Sequence, residues 1–156
     1  MASFGAKLRD LRQQRGVTQA ELATTLNLSS HSHISYLEAD TKHPSLTLVH
    51  SIACTFGVTT EYLLRDALDV VAVELWAQPD TGTAMQRFGA KLRVLRKQQR
   101  LTQSELALQL GLKTHTHISE LEKNTKDPSR DLVLAIADFF KCSTDMLIRD
   151  AVDLTE

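Results

Sequence analysis

Phe4, Leu8 and Leu11 recur at helical spacing, with Lys7, Arg9 and Arg12 on other faces, and predict a first helix. Thr18-Gln19-Ala20-Glu21 reads as a capping box: the threonine hydroxyl takes an orphan backbone N–H and the glutamate reaches back. It opens a second helix with Leu22 and Leu26 inward and Leu28 in the following turn. A third helix starts near Ser30 and runs to about Ala39 on a buried stripe of Ile34 and Leu37. Asp40-Thr41-Lys42-His43-Pro44 breaks the chain. A fourth helix follows from Ser45, with Leu48, Val49, Ile52, Ala53 and Phe56 buried, and Gly57 ends it where a left-handed cap is wanted. A fifth starts at Thr59-Thr60 and buries Tyr62 or Leu63 together with Leu64. No segment demands a sheet.

The pattern then repeats. Phe4-Gly5-Ala6-Lys7-Leu8-Arg9 returns as Phe88-Gly89-Ala90-Lys91-Leu92-Arg93, and the Thr18 capping box returns as Thr102-Gln103-Ser104-Glu105. Positions 4–70 align with 88–154 without a gap, and 37 of the 67 pairs are identical, where chance gives only a few. The expected organisation is all-α, with one five-helix domain over 1–70, a linker over 71–87 and a second five-helix domain over 88–156. Pro79-Asp80-Thr81-Gly82 is the linker's turn signal. The apolar, β-branched stretch Val70–Trp76 before it fits a sixth helix or a short strand, with Trp76 packing it between the domains. Domains this small are marginal alone, so contact between the copies is expected to matter to stability.

Composition narrows the classes. An apolar fraction of 42% and a charged fraction of 24% are those of a globular protein. The chain has no membrane-length apolar run and its first residues do not read as a signal peptide, so a cytoplasmic protein without a membrane partner is expected. Cys54 and Cys142 are the only cysteines, occupy non-equivalent positions in the two copies, and make no disulfide or metal framework. The formal net charge of −1 argues against an unspecific nucleic-acid coat but leaves room for a local basic patch. No glycine-rich phosphate loop, nucleophile elbow or carboxylate cluster points to an enzyme, and no cofactor is expected.

Thr-Gln-x-Glu-Leu-Ala, a short turn, Ile-Ser-x-Leu-Glu and then Lys-x-Pro-Ser occur in this order in both copies. This series resembles the Cro and phage-repressor class of helix-turn-helix proteins, the xenobiotic-response-element (XRE) family. The resemblance implies lambda-repressor-like domains whose motif pairs are about 18–27 with 30–39 and about 102–111 with 114–123. It also implies that the second helix of each pair enters the major groove while the first crosses the backbone. The spacing from Gln19 to Glu38, and from Gln103 to Glu122, is one residue longer than is usual in the family, and the extra residue falls in the turn or in the first turn of the recognition helix.

Candidate DNA contacts follow. With Ile34 as inward anchor and about 100° per residue, Ser32 and Tyr36 point away from the core, flanked by His33 and Ser35. Thr116, Glu120, His117 and Ser119 are the second-copy counterparts. Ser30 and His31, and Thr114 and His115, stand at the helix starts. Serine and threonine suit several base edges, and a glutamate can accept from a cytosine amino group. The His-x-His pairs place their rings on different faces, against a metal reading; helical zinc pairs are spaced i, i+4. Lys42, Lys126, Lys113 (Ser29 in the first copy) and Arg130 are phosphate candidates. The resemblance implies a phosphate contact for Gln19 and Gln103, and structural ion pairs Arg12–Glu38 and Arg96–Glu122, to which the planar guanidinium fork is suited.

The expected function is sequence-specific binding of a double-stranded DNA operator, as a transcriptional regulator and more specifically a repressor, with two reading heads per chain. A pseudo-two-fold packing of the copies would let one chain mimic a dimer on unequal half-sites; a homodimer with four heads stays open beside it. The competing reading is a protein-interaction module of antitoxin or bridging-factor type, in which one copy has lost DNA binding.

Overall fold

The structure, a computed structural model, describes residues 3–66 and 84–150. The Val70–Trp76 stretch and its tryptophan lie outside the described residues. The chain divides into two compact units, Met1–Thr81 and Gly82–Glu156. In the first, the helices are α1 (Phe4–Gln14), α2 (Gln19–Thr25), α3 (His31–Glu38), α4 (Leu46–Phe56) and α5 (Thr60–Leu64). In the second they are α6 (Phe88–Gln98), α7 (Gln103–Gln109), α8 (His115–Glu122), α9 (Arg130–Phe140) and α10 (Thr144–Ile148). The architecture is all-α; the only extended pairing among the described residues is an isolated bridge between Ala84 and Arg149.

Local chemistry starts these helices. Ser3, Thr18, Ser30, Ser45 and Thr59 each turn a side-chain oxygen to a backbone N–H of the first turn of α1 to α5. Thr18 and Thr102 form full capping boxes with Glu21 and Glu105. The Thr18 backbone N–H and hydroxyl both donate to the Glu21 carboxylate, and they hold its pKa below the ordinary glutamate value. Gly57 caps α4 in the left-handed region at φ 67°; Lys141 does the same for α9 at φ 58°, a conformation L-residues adopt at a cost.

In the first unit α3 packs against both α1 and α2, and Leu8, Ile34, Leu37, Ile52 and Leu63 are fully buried. The second unit repeats this with Leu92, Ile118, Leu121, Ile136 and Leu147. The burial differs from the sequence reading at three places. Leu48 is half-buried and Leu46 is buried instead, because a helix capped at Ser45 puts Leu46, Val49, Ile52, Ala53 and Phe56 on one stripe. Leu26 is only half-buried, since α2 ends one residue before it. Lys7, expected off the buried face, is 2% exposed: its Nζ donates to the Tyr62 and Arg65 carbonyls at 2.7 and 2.6 Å and lies over the Tyr62 ring. The charge is thus satisfied by orphan carbonyls at the end of α5. Lys91 does the same with the Met146 and Arg149 carbonyls.

Residues 84–87, drawn into the linker from sequence, are tied to the end of the second unit. The Met85 N–H donates to the Ile148 carbonyl, and the Gln86 and Arg87 N–H groups donate to the Asp150 carboxylate at 3.1 and 2.8 Å. These partners are more than sixty residues away along the chain, so no local pattern announces them.

Candidate nucleic-acid interface

The start of α1 passes so close to the end of α3 that only glycine fits. A Cβ on Gly5 would lie 2.5 Å from the Leu37 carbonyl oxygen, and one on Gly89 would meet the Leu121 carbonyl oxygen as closely. The Gly5 N–H donates to Asp40 Oδ1 and the Gly89 N–H to Asn124 Oδ1, both at 2.8 Å. Asp40 and Asn124 both have φ 53°, where the short polar side chains of Asp and Asn are tolerated better than most. The far end of each candidate reading helix is therefore clamped to the helix that precedes the motif.

A second clamp joins three helices. Arg12 on α1 grips Glu38 on α3 through Nε at 2.6 Å and Nη2 at 3.1 Å, while its Nη1 donates to the Val17 carbonyl at 3.0 Å. Gln19, the first residue of α2, donates from Nε2 to Glu38 Oε2 at 2.9 Å. Arg96, Glu122 and Gln103 repeat the arrangement, with the Gln103 contact again at 2.9 Å. Burial works to raise the Glu38 pKa, but the hydrogen bonds from Arg12 and Gln19, with the charges of Arg12 and Arg9, bring it below the ordinary value. Glu122 behaves likewise with Arg96, Gln103 and Arg93. The hydrogen bond to Glu38 in turn raises Arg12 against the opposing effect of burial.

On this scaffold Ile34 and Ile118 are fully buried and the rest of the reading faces are turned out. His31 and Tyr36 are exposed, and Ser32 and His33 are half-buried. In the second unit Thr114, His115 and Thr116 are exposed, and His117, Ser119 and Glu120 are half-buried. Ser30 caps α3 by accepting from the Ser32 N–H, whereas Thr114, at the same place before α8, makes no such bond. A cleft of about 440 Å³ lies between α7 and the start of α8, with Ser104, Leu108, Lys113 and His115 on its wall.

The two outward faces differ in chemistry. In the first unit the Lys42 ammonium sits over the Tyr36 ring, 4.9 Å from its centre. In the second the corresponding Lys126 stands 3.8 Å from the Glu120 carboxylate. Lys113 is exposed in the turn, and Arg130, the first residue of α9, is half-buried and stands apart from the α8 face in sequence. Among the described residues no group of three or more His, Cys, Asp or Glu side chains could hold a metal, and no helix is long and apolar enough to cross a membrane. Arg9 and Arg93 recur in both copies, three residues before Arg12 and Arg96 on one helical face, and their charges add to those that keep Glu38 and Glu122 ionised.

Comparison with known proteins agrees with this geometry. The helix-turn-helix family model matches residues 8–63 and again 92–147. The chain is 33% identical over 64 residues to the cryptic phage CTXphi transcriptional repressor RstR of Vibrio cholerae, covering 41% of this chain and 57% of that protein. It is 34% identical over 62 residues to the HTH-type transcriptional regulator ImmR of Bacillus subtilis, covering 40% and 48%. It is 37% identical over 59 residues to the HTH-type transcriptional regulator DdrOP3 of Deinococcus deserti, covering 38% and 45%. The match thus spans about half the length of these relatives. No solved structure is matched. The two matched segments take in most of the chain, which therefore belongs to the XRE-type helix-turn-helix family of DNA-binding transcriptional regulators and carries its motif twice.

Proposed function

We propose that the chain is a repressor that reads an operator with both of its motif helices, α3 and α8. The observation that carries this reading is that each unit holds its second motif helix by the same two clamps while leaving its polar face open. A rigid support for an exposed helix is what groove reading requires. In this reading Ser30, His31, Ser32, His33 and Tyr36 face bases or their edges in one half-site. Thr114, His115, Thr116, His117 and Glu120 do so in the other. Gln19, Lys42, Gln103, Lys113 and Lys126 meet phosphates, which set register rather than sequence preference. Repression is favoured because RstR is named a transcriptional repressor and because blocking a promoter needs only occupancy.

The test is alanine at Ser32 and Tyr36, and separately at Thr116 and Glu120, in the full chain, with selection of bound duplexes from a random pool. Each pair should abolish preference at one half-site and leave the other. If one pair changes nothing, that copy does not read DNA. That outcome would favour the interaction-module reading for it, to which the first copy is the better suited because residues 1–70 carry six Lys/Arg against seven Asp/Glu.

A further inference from the structure

The first helix of each unit is started in a different way. In the first unit Ser3 caps α1, and Asp40 takes the Gly5 N–H. In the second, Arg87 stands in the place of Ser3 and gives α6 no side-chain cap, and Asn124 stands in the place of Asp40. Both exchanges turn the second unit toward the chain that enters it. Asn124 keeps the Gly89 N–H on Oδ1, as Asp40 keeps that of Gly5, but its Nδ2 also donates to the Gln86 carbonyl. A carboxylate has no N–H for that bond. The Gln86 and Arg87 N–H groups go to the buried Asp150 carboxylate, and the Arg87 guanidinium donates to the Asp150 carbonyl at 2.9 Å. Ala84 forms a bridge with Arg149, and Met85, at φ 69°, donates its N–H to the Ile148 carbonyl. A methionine adopts this left-handed conformation at a cost, so its partners hold the turn and its own preference does not.

We propose that residues 84–87 are a strap, fastened by Asp150 and Asn124, that shortens the reach between the two reading helices and makes the chain selective for the spacing of the half-sites in its operator. The inference rests on the reading in which α3 and α8 both bind DNA, and it extends that reading from which bases are read to how far apart they lie. Two binding units joined by a chain engage one duplex together only where the chain spans both sites, and their effective concentration falls away from the matched length. Four extended residues span at most about 14 Å, the rise of roughly four base pairs at about 3.4 Å each. The fastened strap withdraws that length, so wider spacings are refused. The reading head does not itself require the Gln86 bond. The first unit closes the end of α3 with Asp40 on the Gly5 N–H, and Asp40 and Asn124 share φ 53°. The asparagine thus adds a fastening to a clamp that an aspartate already completes.

The experiment compares the full-length chain with its N124D/D150N variant. Aspartate at position 124 retains an acceptor for Gly89, as Asp40 does for Gly5, while the Gln86 bond and the paired carboxylate oxygens at position 150 are lost. A third protein carries Gly-Ser-Gly-Ser inserted between Gly82 and Thr83, which lengthens the chain and leaves the strap alone. Binding is measured on duplexes with both half-sites, moved apart one base pair at a time over one helical turn, and on duplexes with either half-site scrambled. Amide hydrogen exchange reads the strap without DNA. The wild type should show a narrow optimum of spacing. The variant and the insertion protein should both gain about threefold to tenfold at wider spacings, with affinity for a single half-site changed less than about twofold. In the variant the Gln86 and Arg87 amides should exchange faster, while Ile118 and Leu121 in α8 keep their protection. A variant that retains the wild-type spacing profile although these amides are freed overturns the strap as a ruler and leaves the DNA reading intact. Unchanged exchange at Gln86 and Arg87 overturns the fastening by Asn124 and Asp150. A wild type indifferent to the loss of either half-site overturns the two-helix reading, and the ruler with it, whatever the exchange shows.

Discussion

Arg12 binds Glu38 with two nitrogens, at 2.6 and 3.1 Å, and Glu38 passes the connection to Gln19, so one carboxylate joins α1, α2 and α3. The side chains of Arg12 and Glu38 are only 14% and 6% exposed. Removing the arginine strands a buried charge, so R12M should cost about 3–5 kcal/mol in denaturant unfolding of the first unit. E38Q keeps an acceptor for Gln19 but strands Arg12, and it should also destabilise. If R12M changes the unfolding midpoint no more than an exposed substitution such as R9Q does, the clamp is not what holds α3.

Gly5 bears on the same end of α3, through its backbone. A Cβ there would collide with backbone, the Leu37 and Glu38 carbonyls, rather than with a flexible side chain. G5A should therefore cost on the order of 1–3 kcal/mol, the range for overpacking, and should displace the end of α3. DNA affinity should fall more than stability alone explains, read at a temperature where the variant stays folded. Alanine at Gly16, whose Cβ would meet nothing within 4 Å but whose φ is 65°, gives a strain control without displacement of α3.

The clamps also set an acid limit. Glu38 and Glu122 have pKa values lowered in the folded protein, so they bind protons less readily there than in the unfolded chain. Their stabilisation is complete above the unfolded glutamate value of about 4.3 and is lost as pH falls through the lower folded value. Thermal unfolding of the wild type should decline steeply below about pH 4.3, and E38Q/E122Q should be less stable at pH 7 but decline less on acidification. Parallel curves for the two proteins between pH 6 and pH 3 would rule this out.

Tyr36 and Glu120 occupy equivalent places with unlike partners, Lys42 over the ring in one case and Lys126 beside the carboxylate in the other. Y36E should move the first copy's base preference toward that of the second copy, and E120Y should do the reverse. A change of about 1–3 kcal/mol in discrimination at one base position is the size expected of a direct contact. Selection from a random pool that returns identical motifs for wild type and both variants would place these residues away from the bases.

The helices themselves were legible because their causes are local. Thr18 and Glu21 are three residues apart and make their capping box without help from the rest of the chain. The stripe of Ile34 and Leu37 needs only helical periodicity, and the repeat doubles every such signal. What the pattern could not reveal is which polar side chain is turned inward and which stays free. Lys7 and Arg9 are near neighbours on one helix, yet Lys7 is buried against carbonyls 55 and 58 residues away while Arg9 remains exposed. Likewise Gln19 meets Glu38 and residues 85–87 meet residues 148–150 only because the folded chain brings distant segments together. Periodicity assigns a face by hydrophobicity alone, and a charged group is drawn into the interior only where tertiary structure supplies the partners that replace its water.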